Sequence, residues 1–287
     1  MPAFYSPLGL DPAAAKKRTR TLAIGAHPDD IEFMCLDPII RHRNAGSFGG
    51  LIVTSGSGSL RAPQHARLSP TEYAELRWEE QKMAAKIGGY AFVDSLNVES
   101  AEIKSDAGLA ALTQKLKEFL IDFEIDELYM HQPFDRHASH VRVAFAVLTA
   151  LRSLPVERRP KQVLGCEVWR NLDWAPKSSK VLRPLSAAGL DLQVRLAEVF
   201  KSQADPKEAK DYVSALVGRK TANAVFQEGL VGDSGVAQEV YIDLKPWVES
   251  KLSWSELGRE YLRKFQQEAT SAWPQDPKGE TDGSRNF

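Results

Sequence analysis

Two short segments, far apart in the chain, carry residue types that can bind a divalent metal and move a proton. They read HPDD at residues 27–30 and DRHASH at residues 135–140. Imidazole nitrogens and carboxylate oxygens are ligands of Zn²⁺, at distances of about 2.0–2.2 Å. A catalytic zinc site commonly has three protein ligands and an open water position, and His27, Asp30 and His140 would supply the three. Asp29 is then free to accept a proton as a general base.

The same residues also have a purely structural interpretation. The carboxylates of Asp29 and Asp30 would cap a helix that follows them, because they accept hydrogen bonds from its first amide groups and favour the positive end of its dipole. His137 and His140 would be an ordinary pair of solvated residues at the start of another helix. Spacing alone does not decide between a metal site and two helix starts.

Each segment follows a predicted strand. Residues 21–26 and 125–130 are short, mostly apolar runs, which are typical of buried parallel strands. Along the chain such runs alternate with segments of helical period, and this pattern predicts βαβ units. The predicted fold class is therefore α/β: a Rossmann-like, doubly wound, mostly parallel sheet flanked by helices. Ligands bind outside the carboxyl ends of the strands in such sheets, so both segments should meet at one rim and place a metal site there.

The remaining elements complete an alternating pattern. Strands are predicted at 21–26, 48–56, 90–96, 125–130, 163–169 and 236–244, and helices at 31–46, 69–87, 107–123, 138–154, 190–204, 207–221 and 254–270. We find no internal repeat and no long linker. This favours a single domain over residues 1–273, with a core at about 20–205 and C-terminal elaborations. Residues 274–287 are polar and rich in helix breakers, which predicts a flexible tail.

Composition excludes several classes of protein. Among 287 residues, 37 are Lys or Arg and 38 are Asp or Glu, so a strongly basic nucleic-acid-binding surface is not expected. The two cysteines, Cys35 and Cys166, are too few for a disulfide framework and fit a reducing compartment. No apolar run approaches the roughly 20 residues that a membrane helix needs. We expect a cytoplasmic protein that binds a small molecule, without nucleic acid or a membrane span. The sequence leaves open whether the protein forms a homo-oligomer.

The two segments resemble the motifs of a known family. AHPDDIE at residues 26–32 is similar to the AHPDD-x-E signature of the LmbE-like, or PIG-L, deacetylases, and DRHASH at 135–140 resembles their later D-x-H-x-D-H motif. Weaker matches occur in the expected order: TSG at 54–56, Arg77 and Glu80 on one helix, EVW at 167–169 and SQ at 202–203. The resemblance covers roughly residues 20–205, and the first motif is its most specific part.

The resemblance implies a Rossmann-like fold and a zinc-dependent deacetylase, a hydrolase acting on carbon–nitrogen bonds other than peptide bonds. It would remove an N-acetyl group from an N-acetylglucosamine-type or related small molecule by means of a metal-activated water. By the family pattern, His27, Asp30 and His140 would hold Zn²⁺, with Fe²⁺ as an alternative ion. Asp29 would be the general base and His137 the second catalytic group.

Two further positions bear on this expectation. The resemblance makes Arg77 a substrate-binding residue, whereas the sequence around it alone favours an arginine that pairs with a glutamate on a solvated helix face. Ser139 stands where the family commonly has Asp, and Asp135 is then a candidate for orienting His137. This departure keeps two alternatives open: a catalytically impaired family member that acts as a binding protein, and an amide hydrolase on a non-sugar substrate.

Overall fold

Five parallel strands form the centre of the fold. Two further strands extend the sheet on one side, and the first of these runs antiparallel to the strands on either side of it. The computed structural model describes residues 4–203, 210–227 and 236–274. The strands are β1 Thr21–Gly25, β2 Phe48–Thr54, β3 Phe92–Val98, β4 Glu127–His131, β5 Gln162–Cys166, β6 Lys180–Leu185 and β7 Ala237–Asp243. Their order in the sheet is β3-β2-β1-β4-β5-β7-β6, with β7 antiparallel to both of its neighbours.

Helices cover both faces of this sheet. They are α1 Pro12–Arg18, α2 Asp30–Met34, α3 Leu36–His42, α4 Pro70–Gly88, α5 Asp106–Leu120, α6 Ala138–Ser153, α7 Ala187–Ala197, α8 Tyr212–Phe226, α9 Lys245–Glu249 and α10 Trp254–Thr270. Leu22 and Ile24 of β1 pack into one buried cluster with α5, α6, α9 and α10. Ala23, between them, faces a second cluster with α2, α3, α4 and α7. The predicted fold class is confirmed.

The sheet reverses its direction of growth at β1. From β1 the chain adds β2 and β3 on one side, and β4 and β5 on the other. β1 and β4 are neighbours in parallel register, with Thr21 opposite Glu127 and Ile24 opposite Met130. Loops that leave their carboxyl ends therefore start side by side, at the position where ligands bind in doubly wound sheets.

The helix predicted over residues 31–46 is two helices, α2 and α3, separated at Cys35. Cys35 has φ −132° and ψ 40°, which is not helical. Pro38 has no amide hydrogen, and its ring clashes with the carbonyl four residues earlier, so a continuous helix is disfavoured here by about 3 kcal/mol. The Glu239 carboxylate instead accepts hydrogen bonds from the Leu36 and Asp37 amides at 3.0 and 2.6 Å, and so caps the second helix.

The chain after residue 177 departs most from the predictions. β6 was not predicted, because it pairs with β7 alone, is mostly half-buried and contains Pro184. The predicted helices at 190–204 and 207–221 correspond to α7 and α8, each shifted by several residues. The predicted tail lies outside the described residues from 275 onward, and the single-domain assignment stays a prediction. Within the described ranges, no helix is both long and apolar enough to cross a membrane.

Candidate active site

The loops after β1 and β4 bring three of the predicted site residues into contact. His27 Nδ1 lies 3.3 Å from Oδ2 of Asp30, and His140 Nε2 lies 3.3 Å from Oδ1 of the same carboxylate. The two histidine nitrogens are themselves 3.3 Å apart. Four tetrahedral ligands at about 2.0–2.2 Å from a metal lie about 3.3–3.6 Å from one another. The spacing of the two nitrogens from each other and from the nearer oxygens of the Asp30 carboxylate is in this range, so the three residues could hold a tetrahedral metal ion with one position left open.

Asp135 orients one of these donors. Its Oδ2 lies 3.1 Å from His140 Nδ1, on the side of the ring opposite the candidate ligand nitrogen. A carboxylate on the far nitrogen of a metal-binding histidine fixes the tautomer and the orientation of the ring. Asp135 was expected to be a candidate partner of His137, and the structure instead pairs it with His140.

His131, the last residue of β4, belongs to the same cluster although sequence reasoning gave it no role in the site. It is fully buried and stacks on His140 with ring centroids 3.8 Å apart. Its Nε2 lies 3.0 Å from the Ala26 amide and 3.1 Å from the Asp30 carboxylate. Asp30, His131 and His140 also lie close enough to share an ion. We favour His27 as the third donor, because the Ala26 amide already uses the lone pair of His131 Nε2.

Charge in the cluster is concentrated on Asp30 and His140. Burial raises the pKa of Asp30, but the facing histidines, His140 first, outweigh it and hold that pKa well below its usual range. Burial lowers the pKa of His140, but Asp30 and Asp135 outweigh it and raise the pKa to about 9. Without a cation the protein thus keeps a proton between these groups. A metal ion would take the place of that proton.

Asp29 is held apart from the candidate ligands. It adopts φ 97°, a left-handed conformation that is rare for residues other than glycine. The strained backbone directs Asp29 toward α4, where its Oδ2 accepts a hydrogen bond of 2.9 Å from Arg77. Burial raises the pKa of Asp29 to about 8, although the Arg77 cation acts to lower it. The two adjacent carboxylates therefore have opposite pKa shifts.

Arg77 is buried, with 1% of its surface exposed, so it does not lie on a solvated helix face. Besides Asp29, it donates to the Pro28 carbonyl at 2.5 Å and to Ser59 Oγ at 2.5 Å. Gly56 has φ +71°, and a Cβ there would lie 2.5 Å from Arg77 Nη1. Only glycine allows this close approach, which explains the glycine in the TSG match. The guanidinium lines the cavity, and its role in substrate binding stays a prediction.

A buried network behind Asp29 fixes its backbone. Gln81, one turn after Arg77 on α4, accepts the Asp29 amide hydrogen at 3.1 Å. The Gln81 amide group donates to Glu32 at 2.8 Å, and Tyr90 donates to the same glutamate oxygen at 2.7 Å. Burial raises the pKa of Glu32 to about 7, against the effect of these hydrogen bonds. Glu32 therefore supports the site from behind and contacts no candidate ligand.

His137 lies over the candidate ligands, with one part of its ring packed against them and the other part exposed. Its ring centroid is 5.0 Å from that of His27 and 4.6 Å from that of His140. Burial of the ring and the neighbouring charges of His140 and His27 lower its pKa to about 4. At neutral pH it is an uncharged imidazole that donates one hydrogen bond and accepts one.

Two of the weaker sequence matches also meet in space. Glu80 of α4 accepts hydrogen bonds from the Ser202 amide at 2.8 Å and from the Ser202 hydroxyl at 2.5 Å. The next residue, Gln203, donates to the Leu60 carbonyl at 2.9 Å. Leu60 and Gln203 both line the cavity, so this pairing fixes part of its wall.

The cluster opens into a cavity of about 570 Å³. Its floor carries His27, Asp29, Asp30, Arg77, His137 and His140. Apolar and aromatic side chains from α2, the segment after β5 and α8 form the opposite wall. Pockets of about 300–1,000 Å³ bury ligands of drug size, so the cavity accommodates a small molecule.

The fold and the site define a class of protein: a doubly wound α/β protein with a cluster of histidines around one buried carboxylate, Asp30, at its topological switch point. Comparison with known sequences then identifies the family. The sequence profile described as GlcNAc-PI de-N-acetylase, PIG-L, matches residues 22–151. The curated protein "Uncharacterized deacetylase YaiS" of Escherichia coli (strain K12) is 32% identical over 159 residues, which cover 54% of this chain and 77% of that protein. The chain belongs to the PIG-L (LmbE-like) deacetylase family, as the sequence motifs predicted.

Solved structures support the fold. The N,N′-diacetylchitobiose deacetylase of Pyrococcus horikoshii is 16% identical with a TM-score of 0.61, covering 83% of this chain and 88% of that one. The 4-carboxy-2-hydroxymuconate hydratase GalB of Pseudomonas putida KT2440 is 14% identical with a TM-score of 0.61, covering 82% and 100%. Since a deacetylase and a hydratase share this fold, the fold alone does not determine the reaction.

Proposed function

We propose that this protein is a metal-dependent hydrolase that removes an N-acetyl group from an N-acetylglucosamine-type or related small molecule. The observation that carries the proposal is that His27 Nδ1 and His140 Nε2 lie 3.3 Å from each other and each 3.3 Å from one oxygen of the Asp30 carboxylate. Family membership supports the deacetylase chemistry, and the cavity supports a small polar substrate with room for a second group.

In this proposal the two adjacent carboxylates have different tasks. Zn²⁺, or Fe²⁺ in its place, would be held by His27, Asp30 and His140 and would supply Lewis-acid activation of water and of the amide carbonyl. Asp29 is not among these donors, and its pKa of about 8 lies near neutral pH. A general base works best with a pKa near the working pH, so Asp29 is suited to accept a proton from water. The same carboxyl group can then deliver that proton to the departing amine.

His137 is assigned the second catalytic role. Its lowered pKa means that it acts as an uncharged hydrogen-bond donor toward the substrate carbonyl, because burial of the ring and the positive charge held beside it disfavour an imidazolium. Asp29 therefore carries the mobile proton, and His137 positions the carbonyl oxygen. Arg77 keeps the Asp29 carboxylate in place, and we propose that its edge at the cavity also contacts sugar hydroxyl groups.

Two alternatives remain distinct from this proposal. A binding protein without activity is suggested by Ser139, which is buried in the first turn of α6. None of the proposed catalytic groups is lost by that change, and this favours an enzyme. An amide hydrolase that acts on a non-sugar substrate would use the same donors.

Cys35 and Cys166 are buried and unpaired, which supports a reducing compartment such as the cytoplasm.

The test combines metal analysis with product detection. We expect the purified protein to contain close to one equivalent of zinc or iron, and to release acetate from N-acetylglucosamine or its glycosides. Activity should disappear with a chelator and return with Zn²⁺ or Fe²⁺. Bound metal without acetate release from any N-acetylated sugar would favour the binding protein, and a different acid product would identify a non-sugar amide hydrolase.

A further inference from the structure

The loop between β4 and α6, residues 132–137, carries Asp135 and His137 and is shaped from within by Gln132. The Gln132 side chain accepts a hydrogen bond of 2.8 Å from the Phe134 amide, and the Gln132 carbonyl accepts one of 3.4 Å from the Asp135 amide. Both bonds join residues of the loop itself, so they fold it without fixing it to the rest of the protein. Phe134 is the large apolar residue of the loop, and its packing therefore determines where the loop lies.

The Phe134 ring lies among three aromatic side chains, Trp174, Trp247 and Tyr261, which we call the aromatic clamp. Its centroid lies 5.1 Å from that of Trp174 and 5.8 Å from that of Trp247, both in edge-on arrangements. Tyr261 stacks on it with centroids 5.1 Å apart and the ring planes inclined by 29°. Separations of about 4.5–7 Å in these two geometries are the favourable ones for aromatic pairs. The clamp therefore gives the Phe134 ring a defined position.

The clamp belongs to a part of the chain that follows the family-matched segment. Trp174 lies after β5, Trp247 on α9 and Tyr261 on α10. The clamp rings also contact one another, since the Tyr261 centroid is 5.7 Å from that of Trp174 and 6.2 Å from that of Trp247. The Tyr261 hydroxyl is 2.8 Å from Ser179 Oγ, which anchors the ring further. The slot that receives Phe134 is therefore held together by contacts of its own.

Asp135, the next residue after Phe134, links the position of the loop to the orientation of a candidate metal ligand. Its Oδ2 lies 3.1 Å from His140 Nδ1, and its Oδ1 accepts a hydrogen bond of 2.5 Å from the Arg136 amide. Both carboxylate oxygens are thus engaged, and the side chain is buried. Because hydrogen bonds weaken steeply when they are bent, a shift of the backbone at Phe134 would weaken the bond to His140.

We propose that Phe134 and the aromatic clamp are positioning residues for the candidate metal site, and that they act through Asp135 on His140. The inference rests on the proposed metal-dependent function, and it gives α9 and α10 a task in that function. Neither Phe134 nor any clamp residue belongs to the described lining of the cavity. They therefore affect the metal ion by holding the loop, without contacting substrate.

The affinity for Zn²⁺ tests this proposal without turnover. Zn²⁺ is titrated into chelator-treated, full-length protein in competition with a chromophoric chelator. We expect Phe134→Leu and Tyr261→Leu each to weaken Zn²⁺ binding about tenfold, the lower end of the usual effect of losing a group that orients a metal-binding histidine. Phe119→Leu is the matched control, since Phe119 of α5 is half-buried and its ring centroid lies 5.0 Å from that of Phe123, and it should keep the wild-type affinity. If both clamp variants bind Zn²⁺ as tightly as the wild type, the clamp serves the fold alone and the proposal is overturned.

A conservative variant separates the Tyr261 ring from its hydroxyl group. Tyr261→Phe keeps the stacked ring but loses the bond to Ser179. It should bind Zn²⁺ about as tightly as the wild type. A loss as large as that in Tyr261→Leu would contradict the role of the ring. Trp174→Leu, at the half-buried member of the clamp, takes the place of either leucine variant that does not fold.

A double-mutant cycle tests the route through Asp135. Asp135→Ala removes the partner of His140 Nδ1 and should weaken Zn²⁺ binding by about 10–100-fold. If Phe134 acts by way of this carboxylate, Phe134→Leu should add little to that loss, because two changes on one route are not additive. A second loss of the same size as in the single Phe134→Leu variant would show that Phe134 acts by another route, and this would overturn the proposal.

A signal of the metal-free protein makes the test independent of the proposed function. In protein labelled with ¹⁵N-histidine, the NMR signal of the His140 Nδ1–H proton is assigned by its absence in His140→Ala. The hydrogen bond to Asp135 protects this proton from exchange with water, so the signal should be observed in the wild type and in Phe119→Leu. It should be lost or strongly weakened in Phe134→Leu. A signal that persists in both Phe134→Leu and Tyr261→Leu would overturn the clamp whatever the metal affinity.

Failure of the clamp and failure of the proposed function are therefore distinguishable. If the wild type neither binds Zn²⁺ nor releases acetate, but the Nδ1–H signal is lost in the clamp variants, the proposed function is wrong and the clamp stands as the support of His140. Normal Zn²⁺ binding and acetate release in the wild type and in every clamp variant would leave the function intact and overturn the clamp.

Discussion

At the level of single residues, the surroundings of Asp29 determine what its carboxylate can do. Asp29 and Asp30 are adjacent in sequence, yet burial raises the pKa of the first to about 8, whereas the histidines around the second hold its pKa well below the usual range. The two pKa values differ because the two side chains point in different directions. The Asp30 carboxylate faces His140, and the Asp29 carboxylate faces Arg77. Two carboxylates with separated pKa values are suited to separate tasks in acid–base chemistry.

Removing either proposed catalytic group should abolish most turnover without removing the metal. We expect Asp29→Ala and His137→Ala to lower kcat by about 10²–10⁴-fold, the usual contribution of a positioned acid or base. Metal content, measured on the same samples, should stay at the wild-type level. Asp191→Ala and His65→Ala change an exposed and a half-buried residue outside the cavity lining and serve as controls. Full activity in either test variant would rule out the corresponding assignment.

Arg77 should set the pH at which Asp29 becomes active as a base. The Arg77 cation lowers the pKa of Asp29, so removing it raises that pKa further. A base must be deprotonated to work, and we therefore expect Arg77→Met to move the acid limb of the kcat/KM profile to higher pH. Arg142→Met, at a half-buried arginine on α6 that pairs with Asp106 outside the cavity lining, should leave the limb in place. If the acid limb is unchanged in Arg77→Met, then Arg77 does not set the pKa of Asp29.

At the level of elements, α4 is the support of the site. It begins with a capping box of Ser69 and Glu72 and ends at Gly89 in a left-handed conformation, so both of its ends are fixed. Arg77 and Gln81 lie one turn apart and bind the Pro28 carbonyl and the Asp29 amide. These contacts hold a backbone conformation that is rarely adopted outside glycine, and strain of this kind persists only where the surroundings impose it.

Loss of Gln81 should weaken both the site and the fold. Gln81→Leu removes the acceptor of the Asp29 amide and a donor to Glu32, which leaves buried groups without partners. Such a loss costs about 1–3 kcal/mol of unfolding free energy, measured by urea denaturation. We expect kcat to fall as well, because Asp29 is no longer held. Gln114→Leu, on the exposed face of α5, should change stability by less than about 0.5 kcal/mol. Wild-type kcat in a destabilised Gln81→Leu protein would show that Gln81 serves the fold alone.

At the level of the whole molecule, the site exists because the strand order changes direction at β1, with β2 added on one side of it and β4 on the other. His27 and Asp30 come from the loop after β1, and His140 comes from the start of α6, more than a hundred residues later. The pairing of β1 with β4 places these segments together. The cavity is then completed by α4 on one side and by α8 on the other. A ligand that binds here bridges segments from separate parts of the chain.

Metal binding should therefore stabilise the native protein as a whole. An ion that binds the folded state alone adds about 2.7 kcal/mol at a concentration one hundred times its Kd. We expect Zn²⁺ added to chelator-treated protein to raise the Tm, and His140→Ala to lose this response. His65→Ala should keep it, since His65 is half-buried and is not one of the candidate donors. An equal increase in Tm for His140→Ala would place the metal elsewhere.

Much of the fold could be predicted because its signals are local. Apolar runs such as residues 21–26 and 125–130 are followed by the chemistry-bearing segments, and the alternation with helices implies a parallel sheet. The break at Cys35 was missed, although Pro38 is a local signal for it. β6 left no such signal, since an edge strand buries little of its surface.

The sequence by itself determined the family, the fold class and the two segments that meet at the site, because motifs and hydrophobic periods are properties of consecutive residues. Only the tertiary structure decided that Arg77 is buried against Asp29, that Asp135 pairs with His140, and that His131 joins the cluster. These contacts join residues that are distant along the chain, and the packing of helices on the sheet sets them without leaving a local pattern to read.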